Sequence, residues 1–251
     1  MLQKVIESLA DSETSLEEGL RQLLVVAYRT QSDPLKEWLQ GELNGYDRED
    51  SLPHYRQNFR GRIQLTFVGW GPTYKTVYFI SSDIPEELRW WEEKGLAFPQ
   101  SVTELEALSS GPEDPGIKMP NSWVARYQVL EEEGKATSYT GMTLEEAQII
   151  FPRTIVLALL GNIRNQSLQM ALELEAVSPD VGNLSEMTEE QTEAAKQVIN
   201  VFISTMTGDM NTTQDGIISQ SSAGGTVNNS LQYNDNAAES SNIQGDNNTM
   251  N

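Results

Sequence analysis

A single histidine, His54, sits beside Tyr55 and Arg56, and Arg48 lies six residues before it. Imidazole exchanges protons near neutral pH, and a nearby guanidinium can hold a phosphate. Together they would suit metal-independent cleavage of a phosphodiester. The setting, Asp50-Ser51-Leu52-Pro53, reads as loop, where a surface histidine is the ordinary outcome. A second set is Arg56, Arg153 and Arg164. The last two flank the most apolar helical stretch, where an unpaired charge is costly. The three form either an anion or nucleic-acid pocket or structural ion pairs. A third set, Trp38, Tyr46 and Tyr55, offers an aromatic partner-binding face or belongs to the core. Glu173 and Glu175 are two apart on a helix and do not face each other, so they make a poor metal pair. Zinc spacing, a glycine-rich phosphate loop and a nucleophile elbow are all missing. No metal, no cofactor and no recognisable catalytic motif follow, and the sequence leans away from an enzyme.

The 251 residues can bury a core of ordinary domain size. With no cysteine there is no disulfide or thiolate metal site, and a reducing, cytoplasmic setting is expected. The most apolar stretch, Thr154 to Leu160, is far short of the ~20 residues of a membrane span, and the N-terminus lacks the apolar region of a signal peptide. The formal charge is −20, of which residues 1–210 carry −16. Such a surface favours solubility and repels nucleic acid and anionic membrane, making nucleic acid an unexpected partner. The same acidity leaves open a DNA mimic or a basic protein partner.

Periodicity predicts a largely helical chain. Leu2, Val5, Ile6 and Leu9 make one stripe. Ser15 and Glu18 form a capping box before a helix that runs to about Tyr28. Asp33-Pro34 opens a helix with Leu35, Trp38, Leu39 and Leu43 inside, and Gly45 ends it. Residues 62–67 alternate polar and apolar, residues 75–80 are β-branched and aromatic, and the turn Gly69-Trp70-Gly71-Pro72 lies between them, which predicts a hairpin over about 60–80. Short helices follow over 84–110, with Val102, Leu105 and Leu108 inside, and then one from Trp123 to Glu132. Thr143 and Glu146 read as another capping box, opening a helix that Pro152 kinks or splits. From Arg153 to Val177 a long helix carries Val156, Leu160, Ile163, Ser167, Met170 and Leu174 on one stripe. Thr188 and Gln191 cap a last amphipathic helix, ended by Gly208. The fold class is α+β, mainly α-helical with a small β-hairpin.

Residues 209–251 are rich in Asn, Ser, Thr and Gly. Such a composition suits a disordered tail. Its sparse bulky residues equally suit thin strands packed on copies of the chain, with Ile217, Val227, Leu231 and Ile243 facing inward.

Two stretches carry a family resemblance. One is Trp38-Leu39-Gln40-Gly41-Glu42-Leu43-Asn44-Gly45-Tyr46 with Leu52-Pro53-His54-Tyr55-Arg56. The other is Ile163-Arg164-Asn165-Gln166-Ser167-Leu168 running into Ala171-Leu172-Glu173-Leu174-Glu175. Together they resemble the AbiTii domain of bacterial abortive-infection proteins. Gln100 to Leu108 and Ile117-Lys118-Met119-Pro120 are also similar to that domain. The resemblance covers about residues 1–182, leaving 183–208 as an amphipathic helix and 209–251 as a polar tail. It implies phage defence and carries over no catalytic residue. The Arg48 to His54 spacing also fits the motif of HEPN ribonucleases, although that motif belongs near a helix.

The expected function is a cytoplasmic phage-defence protein acting through self-assembly, as a homo-oligomer or short filament, and through binding a phage or host protein. The alternatives are a nuclease using arginines and His54, and a purely structural oligomerisation module or DNA mimic.

Overall fold

The computed structural model describes residues 1–47, 52–178, 181 and 187–208. Arg48 and the tail residues Ile217, Val227, Leu231 and Ile243 lie outside them. Eight helices and four strands are described: α1 Leu2–Ala10, α2 Leu16–Arg29, α3 Asp33–Asn44, β1 Arg62–Gly69, β2 Tyr74–Phe79, α4 Trp91–Lys94, α5 Val102–Ser110, β3 Gly116–Lys118, α6 Asn121–Glu132, β4 Met142–Ile150, α7 Arg153–Val177 and α8 Glu189–Thr207. The α+β, mainly helical class holds.

Helices α2, α3, α5 and α8 begin where a side chain accepts from a free backbone N–H. Ser15 accepts from Glu18 N–H, and Thr188 and Gln191 form a full reciprocal box. For α3 the cap is Ser32, which accepts from Leu35 N–H; Asp33 is already the first helical residue. α7 is central. Its stripe of Val156, Leu160, Ile163, Ser167, Met170 and Leu174 is buried, and α1, α5 and α8 pack on it. Leu108 was expected inside and is instead exposed, at 36%, and Leu157 of α7 is exposed at 51%.

The sheet is antiparallel throughout, in the order β2-β1-β4-β3. Ile63, Leu65 and Phe67 of β1 and Leu144, Ala147 and Ile149 of β4 form its buried face, which α6 covers in part. β4 corrects the helix expected behind Thr143. A bulge between Thr66 and Phe67 leaves Glu145 without a partner in the ladder. The bulge sets the inward Leu144 and Ala147 three residues apart, which breaks the alternation of a strand, and Ile149 and Phe151 then resume it at spacings of two. Pro152 neither kinks nor splits a helix: it is the N-cap residue of α7. Among the described residues no helix is long and apolar enough to cross a membrane.

Candidate functional site

Leu35, Trp38, Leu39 and Glu42 share the buried face of α3. A carboxylate on that stripe needs a cation, because an unpaired buried charge is far costlier than a paired one. The chain supplies it fourteen residues later. Pro53 opens a single 3-10 turn, His54–Arg56, which folds Tyr55 and Arg56 back onto α3.

Arg56 Nε donates to Glu42 Oε1 at 2.9 Å and Nη2 donates to Oε2 at 2.6 Å, with both side chains fully buried. The Tyr46 and Tyr55 hydroxyls donate to the same Oε1 at 2.7 and 2.6 Å. Trp38 Nε1 donates to the Tyr55 oxygen at 2.8 Å. Arg56 Nη1 donates to the carbonyls of Phe98 and Gln100 at 2.8 and 2.7 Å. The guanidinium also lies 5.2 Å from the centre of the Tyr46 ring. One network thus ties α3, the 54–56 turn and the 98–100 segment together.

Two glycines make room for it. A Cβ on Gly41 would lie 2.5 Å from Tyr46 Cε1, so the ring rests directly on the helix backbone. Gly45 takes φ +84, and a side chain there would meet Pro99 O at 3.0 Å. The next residue, Tyr46, donates its N–H to that carbonyl at 2.8 Å.

Burial, followed by the Glu42 charge, pushes both tyrosine hydroxyls well above the ordinary value for tyrosine. Burial works against the charge on Arg56, but its bonds to Glu42 outweigh that and raise its pKa. At neutral pH the tyrosines keep their protons, the arginine keeps its charge and both carboxylate oxygens are engaged. The arrangement clamps three segments and leaves no group free to act as a base or nucleophile.

Beside the clamp lies an open cleft of about 610 Å³ between α3 and the last turns of α8. Trp38 and Tyr46 line it, with Glu37 and Asp47 on its acidic side and Ser204 and Thr207 opposite. Phe202 of α8 meets Trp38 edge-on at 5.0 Å between ring centres. The C-terminal end of α8 adds a partial negative charge to the two acids, so the cleft suits a cationic group better than an anion. His54 is exposed and lies against Gly208, at the C-cap of α8.

Of the residues singled out from sequence, Trp38, Tyr46, Tyr55 and Arg56 meet in this network. Arg153 and Arg164 have other partners. Arg153 Nη2 donates to Pro112 O at 2.9 Å. Arg164 collects carbonyls of the α1–α2 connection, with Nη1 3.0 Å from Asp11 O and Nη2 2.7 Å from Thr14 O. Glu42, the centre of the clamp, was not singled out; its place at the apolar spacing 35, 38, 39, 42 was the available signal. Among the described residues no group of three or more His, Asp or Glu is placed to hold a metal ion.

Fold and site together define an α+β protein in which a buried carboxylate–guanidinium–tyrosine clamp pins α3, the 54–56 turn and the 98–100 segment. The AbiTii family model matches residues 1–200, which include the clamp, Arg164 and most of α8. The chain belongs to the AbiTii family, and the family points to abortive infection, a form of phage defence. No curated protein and no solved structure matches the chain.

Proposed function

We propose that this protein is a cytoplasmic phage-defence protein that acts by assembling with itself and binding a partner, rather than by catalysis. The observation that carries the reading is the saturated clamp. Its ionisable groups are spent on one another, and the same Trp38 and Tyr46 line an open cleft. Assembly is attributed to residues 209–251 on composition, because they hold too few apolar residues to offset ~1–2 kcal/mol of backbone entropy per ordered residue in one copy. The cleft is the surface offered to a phage or host protein presenting a basic group.

The nuclease alternative asks Arg56 to hold a phosphate beside His54, yet all three guanidinium nitrogens of Arg56 already donate within the protein. The test is expression in a host challenged with a broad phage panel. The wild type and His54→Ala are both expected to lower plaque number or size. A panel without any change removes the defence role. Loss of protection in His54→Ala, with normal abundance and folding, restores the nuclease.

A further inference from the structure

β2 pairs with β1 and, among the described residues, with no other strand. The Gly69 N–H donates to Thr73 O at 2.8 Å, which makes those two residues a hydrogen-bonded pair. Such pairs alternate along an antiparallel ladder with pairs that exchange no backbone bond. In this register Lys75, Val77 and Phe79 point their backbone groups at β1, while Tyr74, Thr76 and Tyr78 point theirs outward. The Thr66 and Thr76 hydroxyls lie 3.3 Å apart, as the closer side chains of a pair without backbone bonds allow. Tyr74, Thr76 and Tyr78 also project on the face opposite the core, opposite Val68, Thr66 and Gln64, which alternate with the buried Ile63, Leu65 and Phe67.

The same edge concentrates exposed apolar surface. Trp70, Tyr74, Tyr78 and Ile80 are 95%, 74%, 60% and 61% exposed. The chain's acidity is also interrupted here: residues 51–82 hold four Lys or Arg and no Asp or Glu, in a chain with 37 acids. Lys75 is the one charged residue on β2, which is slight protection for an open edge.

We propose that β2 pairs antiparallel with β2 of a second copy, about a two-fold axis at Thr76, so that two sheets become one. The register is self-complementary. Thr76 faces its own equivalent, and Tyr74 faces the partner's Tyr78 on each side of the axis. Every outward N–H and C=O of the three residues gains a partner, and aromatic cross-strand pairs form on the outer face. Copies that each carry a formal −20 approach most easily where acids are missing. A single-stranded nucleic acid would use the aromatic and basic groups but not the self-complementary backbone, and it meets the same overall charge. The contact is separate from the tail-borne assembly proposed above, and neither requires the other.

The chain has no cysteine, so one introduced thiol reports one position. Full-length Thr76→Cys, oxidised with copper phenanthroline, is expected to give a disulfide-linked dimer, because the axis holds the two Cα atoms about 5.5 Å apart. Trp70→Cys, more exposed but off the axis, should cross-link roughly tenfold more slowly. Thr76→Pro removes an outward N–H and spares the bonds to β1, a change edge strands tolerate. In the full-length chain it should lower the particle mass by light scattering about twofold with an unchanged circular dichroism spectrum. Equal cross-linking at both cysteines, or wild-type mass in folded Thr76→Pro, overturns the pairing whatever the tail does. If Tyr74→Ala with Tyr78→Ala abolishes binding of a labelled oligo-dT and leaves the mass unchanged, the edge is a nucleic-acid platform and the pairing falls.

Discussion

Arg56 grips Glu42 through two parallel hydrogen bonds, of 2.9 and 2.6 Å, with neither side chain reaching solvent. Removing two charges from water costs several kcal/mol per ion, and the pair persists because the tyrosines and two carbonyls satisfy what remains. It therefore fixes geometry more than it adds stability, which gives the pair a distinctive mutational pattern.

Glu42→Ala leaves Arg56 buried without its partner and should cost ~3–5 kcal/mol in urea unfolding. Joint replacement, Glu42→Leu with Arg56→Met, should recover only part of that loss: it removes the buried charge but leaves the Tyr46 and Tyr55 hydroxyls and the Phe98 and Gln100 carbonyls without these partners. Equal losses in the single and double variants would show that the carbonyl contacts of Arg56, rather than the pair, dominate.

The tyrosines set the behaviour at high pH. Their folded pKa values lie above the ordinary 10.0, so the stability they supply is complete below pH 10 and falls as pH rises beyond it. Absorbance near 295 nm should show Tyr46 and Tyr55 ionising only as the chain unfolds. Ionisation of all eight tyrosines before any loss of helical circular dichroism would contradict the clamp.

Gly41→Ala sets two effects against each other. Alanine favours a helix interior by ~1 kcal/mol, while a methyl forced against a packed ring costs ~1–3 kcal/mol. The Cβ would stand 2.5 Å from the Tyr46 ring, whose hydroxyl donates to Glu42 while the Tyr46 backbone N–H donates to Pro99 O. Net destabilisation is expected, and Gly41→Ala combined with Tyr46→Ala should regain part of it. A more stable single variant would mean that the ring yields freely.

Deleting residues 209–251 should leave the remaining chain folded by circular dichroism and lower its mass by light scattering. An unchanged number of subunits would remove the tail as an assembly element.

Sequence alone determined the helices and the hairpin, because their signals are local. Caps such as Thr188 with Gln191, the stripe of α7 and the alternation from Arg62 to Phe67 each lie within one element. It also marked the segments around Trp38 and Tyr55 without showing that they meet. Tertiary structure decided β4, whose bulge at Glu145 breaks the two-residue period between Leu144 and Ala147. It decided the four-stranded sheet, in which Gln64 pairs with Gln148, far along the chain, and it left β2 as an edge. It decided as well which arginine is buried. Arg56 sits in an ordinary polar stretch, and only the turn after Pro53 carries it under α3 to Glu42. Burial of a charge depends on what folds over it, and no spacing along the chain records that.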